Sequence, residues 1–165
     1  MRKRMFISRM IPSPTNSLAA ASAAMLGMIW TCFFMFSWFG WQNPAKITLV
    51  GTFYAAGLGL GLLFTLQADV LFVARLQNRV LRFIVLLIVA LCLVVAFTAG
   101  LLAVHYRFYY AQWHEPFLTK TWMFQLFFTA VGAVAQYGIF GIRYHGIGAL
   151  VIIFATCWWA TRSRH

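Results

Sequence analysis

Acid is almost absent from this chain: its only carboxylate side chains are Asp69 and Glu115, against 13 lysines and arginines, a formal net charge of +11. Charge of either sign is scarce too, at 9% of residues, where a soluble domain carries about 25%. A chain of this size cannot hide a 63% hydrophobic, 18% aromatic composition and still present a wettable exterior, so its solvent is lipid. The basic residues fall between apolar runs rather than forming a patch on a polar fold. That pattern suits contact with anionic headgroups and excludes nucleic acid as the expected partner. Cysteine is limited to Cys32, Cys92 and Cys157. Each lies in an apolar run with no CxxC spacing, which argues against a disulfide framework or zinc site and for small buried hydrophobes. The sequence has no GxSxG, no HExxH and no P-loop, and its "GLGLG" lies inside an apolar run, where it cannot cradle phosphate.

What is present is a series of long apolar stretches, which predicts an all-α, polytopic membrane helix bundle of about five transmembrane helices. Residues 1–17 form a basic segment ("MRKRMFISRM", then "IPSPTNS"), read as an uncleaved cytoplasmic or interfacial anchor or a mitochondrial transit peptide. Residues 18–161 form one transmembrane domain with spans at about 18–41, 47–74, 83–104, 121–142 and 146–161, and 162–165 is a basic tail. The doubtful point is "FGIRYHGIGAL", residues 140–150. As one helix, residues 121–161 would be about 60 Å long, twice the roughly 30 Å of a hydrocarbon core. A turn is therefore expected at "IRYHG", with Gly146 as a left-handed cap and Arg143 at the end of the fourth helix.

Five spans with a cytoplasmic N-terminus put eight of the 13 basic residues inside and five outside. A re-entrant last segment, giving four spans, would make that ten and three, and the positive-inside rule prefers it. Segment length and the pair Trp158 and Trp159 prefer five. Should the C-terminus share the side of the N-terminus, "RYHGIG" becomes the best site candidate, with a ligand- or ion-handling role.

Small residues recur at helical spacing in the first two spans: Ala20, Ala24, Gly27 and Thr31, then Thr48, Thr52, Ala55 and Gly59, with Gly57 and Gly61 as a GxxxG pair. Lipid gives no hydrophobic drive between helices, so close backbone approach must. Ala24, Gly27, Gly57, Gly59, Gly61 and Gly132 are the expected seam. In the fourth span, Gln125, Thr129, Gly132 and Gln136 share one face. Amides facing hydrocarbon are costly, so this face is either interhelical glue or a pocket for a quinone or lipid headgroup. Asp69, about 33 Å along its helix, is expected to pair with Arg75, Arg79 or Arg82. The rival role is an ion or proton site. His105, His114 and Glu115 are weak candidates for an outer metal. Nothing requires a cofactor, although a haem or quinone would fit a redox reading. With two carboxylates assigned to opposite sides of the membrane, paired acid–base catalysis within one chain is excluded.

The expected function is non-enzymatic: an accessory, assembly or inhibitory partner of a larger membrane complex, or a homo-oligomer. The alternatives are a quinone- or haem-associated redox protein and a small proton-coupled transporter. The expected location is a bacterial inner membrane with the N-terminus in the cytoplasm, or else the mitochondrial inner membrane.

Overall fold

The computed structural model describes residues 12–109 and 115–163, all of them helix or connecting turn. The expected segment 1–17 is therefore largely outside the described residues, as are His114 and the last two residues of the tail. Helix α1 spans Pro14–Ser37, α2 Pro44–Leu71, α3 Arg79–Tyr109, α4 Lys120–Gln136 and α5 Ile147–Arg162. Five stretches are long and apolar enough to cross a membrane: Pro14–Ser37, Pro44–Leu71, Arg79–Tyr109, Lys120–Gly141 and Arg143–Arg162. The protein is a helical membrane bundle.

Local chemistry sets the helix starts. Ser13 accepts from the Asn16 amide at 3.2 Å ahead of Pro14, and Asn43 accepts from the Lys46 amide at 3.1 Å ahead of Pro44. Asn78 accepts from the amides of Val80 and Leu81 at 2.9 and 3.2 Å to start α3. Each side-chain oxygen satisfies amides that have no partner inside the helix, and proline at the first turn has no amide to lose. Gly40, with φ +62°, supplies the left-handed residue that reverses the chain after α1.

The core is built by α2 against α3 and α5, with Leu58, Leu62 and Leu66 meeting Leu86, Ala90, Val94, Ile153 and Cys157. Buried threonine hydroxyls donate to carbonyls one turn back, as Thr31 does to Gly27 and Thr65 to Gly61, each at 2.7 Å. Such back-bonding keeps hydroxyls paired where no water can reach them.

The turn expected at "IRYHG" does not form. Residues Tyr137–Gly146 continue from α4 into α5 as a ten-residue π-helix. Gly146 has φ −54° and ψ −53°, right-handed helical values rather than the left-handed cap. The run Lys120–Arg162 therefore passes from one end of α3 to the other. Near its start Trp122 lies under Arg107, 4.5 Å from the ring centroid, and near its end the Ala160 carbonyl accepts from Arg82 at 3.2 Å. Arg143 does not cap a helix end, and Trp158 and Trp159 lie at the Arg82 end. Of the interruption's polar groups, His145 turns into the bundle and finds Thr31 there, while Arg143 stays exposed.

Candidate functional site

The π segment therefore carries polar and aromatic groups into the interior. Tyr137, Tyr144 and His145 all turn inward. The Tyr137 ring meets Tyr54 of α2 edge-on at 5.6 Å, and Tyr144 meets Phe39 and Trp41 at 4.7 and 5.7 Å. His145 is fully buried, with its ring 5.4 Å from Tyr54. Its Nδ1 lies 2.7 Å from Thr31 Oγ1, and the same hydroxyl donates to the Gly27 carbonyl at 2.7 Å. A hydroxyl has one hydrogen. With that hydrogen on Gly27, Thr31 accepts from His145 Nδ1–H, and Nε2 is left as a lone-pair acceptor. Nε2 is buried and has no hydrogen-bond partner among the described residues. Gly27 makes the approach possible, since a Cβ there would lie 3.3 Å from His145 Cε1 and 2.6 Å from Leu58 Cδ2.

Asp69 is the second polar centre. It is fully buried and takes both prongs of Arg82, Nε at 3.0 Å and Nη2 at 2.8 Å. Arg82 Nη2 also donates to the Ala160 carbonyl at 3.2 Å, so one guanidinium joins α2, α3 and α5. A fork-to-carboxylate pair is the strong form of this contact. Of the three arginines that the sequence offered Asp69, the ion pair is with Arg82.

The small-residue positions divide. A Cβ at Gly57 would lie 2.7 Å from Thr98 Cα, and one at Gly61 2.7 Å from Val94 Cα, so both set the α2–α3 approach. Gly59 sits against Ala24, at 2.9 Å for the same construction, and sets α1–α2. Gly132 is different: a Cβ there meets nothing within 4 Å, so no other helix among the described residues packs against it. It opens onto a cleft of about 300 Å³ between α3 and α4, lined by Leu102, Tyr106, Phe128, Thr129, Ala133 and Gln136 as well. Gln125 lies one turn beyond and accepts from the Glu115 amide at 3.3 Å.

His105 is exposed, with its ring 4.9 Å from Phe53. Glu115 is exposed, and His114 lies outside the described residues. Among the described residues no three of His, Cys, Asp and Glu come together to hold a metal.

Sequence reasoning missed His145 by assigning it to a solvated hairpin. The absence of proline from "RYHG" permits a continuous helix but does not require one, and the deciding partner, Thr31, lies far away in the chain. No family model, curated protein or solved structure matches this chain.

Proposed function

We propose that this is a non-enzymatic, small multi-pass membrane protein that acts as an accessory, assembly or inhibitory partner subunit of a larger membrane complex. The observation that carries this reading is α4. From Arg82, twenty residues along α3 cover about 30 Å, the thickness of the hydrocarbon core, and end at Leu102. Helix α4 packs beside Leu102 and the residues beyond it. Only Ala133 of α4 is buried, while Met123, Phe124, Phe127 and Phe128 are each more than 60% exposed. Apolar side chains carried past the hydrocarbon need another cover, and a contiguous apolar patch of that kind marks an interaction surface.

Orientation follows from charge. Arg75, Arg79, Arg82 and Arg162 lie at the end from which α1 departs, and the sequence places Arg2, Lys3, Arg4 and Arg9 just ahead of α1. Lys46, Arg107, Lys120 and Arg143 belong to the other end. The positive-inside rule assigns the first end to the cytoplasm of a bacterial inner membrane, or to the mitochondrial matrix.

The test is site-specific photocrosslinking in the native membrane from Phe127, with Ile88 on the lipid-facing side of α3 as control. A single stoichiometric protein adduct at Phe127 and none at Ile88 supports the partner reading. Lipid adducts alone at both positions, with a monomeric purified protein, overturn it.

A second reading rests on the cleft at Gly132. Tyr106, Thr129 and Gln136 offer hydrogen-bonding groups in an otherwise apolar space, within the size range of small-molecule sites. A lipid-soluble quinone fits that chemistry, and solvent extraction of the purified protein tests for it. The transport reading is weaker, because Arg82 occupies both oxygens of Asp69.

A further inference from the structure

At the arginine-rich end, a cleft of about 320 Å³ between α3 and α5 is lined by Arg79, Val80, Phe83, Trp158, Thr161 and Arg162. Its mouth carries two exposed guanidinium groups, one from each helix. The chain has only two carboxylate side chains to offer them. Asp69 is buried and held by Arg82, and Glu115 lies beyond the far end of α3. Arg79 and Arg162 therefore form a concentration of positive charge without an acidic partner among the described residues.

The walls are apolar and aromatic. Trp158 stacks along Phe154 and takes the edge of Phe83 at 6.0 Å, while Phe83 takes Phe154 at 5.1 Å. Arg162 is held over the Trp158 ring, 4.3 Å from its centroid, which keeps the guanidinium at the mouth. The Thr161 hydroxyl is already committed to the carbonyls of Cys157 and Trp158, so the two arginines carry the recognition. Val80 and Trp158 are exposed on this face, which opens the cleft toward the bilayer.

Two arginine forks above an aromatic wall, at the level where headgroups lie, match an anion that carries an apolar body. A phosphodiester accepts paired guanidinium N–H groups, and basic pockets between transmembrane helices on the cytoplasmic or matrix side suit anionic headgroups. We propose that this cleft seats one anionic phospholipid, its phosphodiester between Arg79 and Arg162 and its glycerol and acyl chains against Val80, Phe83 and Trp158.

The experiment uses the full chain purified in a neutral detergent. Phosphatidylglycerol, phosphatidylcholine and inorganic phosphate are each titrated against it, with retained ligand counted by native mass spectrometry and the thermal midpoint followed in parallel. Phosphatidylglycerol is expected to bind in preference to phosphatidylcholine. Replacing both arginines (Arg79→Gln with Arg162→Gln) should weaken it about thirtyfold, which corresponds to about 1 kcal/mol per arginine. Val80→Trp keeps both charges but blocks the opening toward the bilayer, and should weaken phosphatidylglycerol binding while leaving the fold intact. Arg143→Gln, at the opposite end, should leave binding unchanged. Equal binding of the two lipids, or undiminished phosphatidylglycerol binding in both the double glutamine variant and Val80→Trp, would overturn the proposal. Inorganic phosphate bound as tightly as phosphatidylglycerol would overturn the lipid assignment and leave a free-anion site.

Discussion

Removing one partner of the Asp69–Arg82 pair should be the most damaging single polar substitution in the bundle. Both side chains are at most 4% exposed, so neither charge can turn to water when its partner goes. Asp69→Asn keeps the shape and deletes the charge, leaving the guanidinium with a neutral amide. Breaking a buried pair in this way costs about 3–5 kcal/mol. Arg82→Met costs a similar amount for the stranded carboxylate. It also leaves the Ala160 carbonyl without the donor that it has at 3.2 Å, a charge-assisted bond of about 1.5–3 kcal/mol. Replacing both residues, Asp69→Leu with Arg82→Met, removes both charges together. It should recover much of the loss, because a well-packed apolar pair is often as stable as a buried ionic one. The assay is reversible unfolding in mixed micelles, with thermal midpoints in parallel. The expected order is parent, double variant, then the two single variants. Single variants within about 1 kcal/mol of the parent, the value typical of an exposed pair, would refute a dry, interlocking role for Arg82.

Three further outcomes follow from the packing and the path of the chain. Gly57→Leu or Gly61→Leu should push α2 off α3 and cost at least about 1–3 kcal/mol by overpacking, whereas Gly132→Ala should be silent in the same unfolding assay. Thr31→Val removes the acceptor for His145 Nδ1–H. It should destabilise by about 1–2 kcal/mol and change the imidazole nitrogen shifts in solid-state NMR; unchanged shifts would refute the tautomer assigned to His145. Reporters fused to the two termini should read the same side of the membrane, and one inserted beside Lys46 the opposite side. Termini on opposite sides would contradict a single passage from Lys120 to Arg162.

Composition alone carried the fold class, because the scarcity of charge left no solvent but lipid. The seam at Gly57, Gly59 and Gly61 was legible because small residues at helical spacing have one main use between lipid-embedded helices. Asp69 was legible as one of three possible pairs, and its burial decided which: Arg82 is itself buried beside it, whereas Arg75 and Arg79 are exposed. His145 was not legible, for a physical reason. A polar run between apolar runs has two ways to satisfy its groups, by leaving the membrane or by pairing within the bundle, and sequence periodicity does not distinguish them. The partner that decides is Thr31, more than a hundred residues earlier in the chain. Gly132 stands apart from Gly57, Gly59 and Gly61, since it shares a face with polar residues and that face lines a cleft within this chain.

The surplus apolar length that first suggested a turn has to go somewhere. A helical run of about 60 Å meets a hydrocarbon core of about 30 Å, and it can turn, tilt, bend or protrude. Turning is excluded by right-handed helical dihedrals at both ends of the π segment, Gln136 and Ile147. Tilt alone would need about 60°, beyond the 0–40° that spanning helices adopt. A bend at the π segment, a common site for one, would lay α4 along the interface. A helix that rests there presents a strongly basic or polar face to the headgroups. Helix α4 has only Lys120, Thr121, Gln125, Thr129 and Gln136 to offer, the first two confined to its start and the others on the face turned to α3 or its cleft, and it exposes Met123, Phe124, Leu126, Phe127, Phe128, Val131 and Val134 around the remainder. Protrusion beside the end of α3 is the course left, and protruding phenylalanines are stable only under an apolar cover. The proposed partner subunit supplies that cover, and its removal should make the isolated protein associate through α4. Phe124→Ser with Phe127→Ser should suppress that association without lowering the unfolding midpoint, because neither side chain is part of the core. A loss of more than about 1 kcal/mol of unfolding free energy, beyond the roughly 0.5 kcal/mol usual for a surface change, would place α4 inside the folded bundle and remove the case for a partner there.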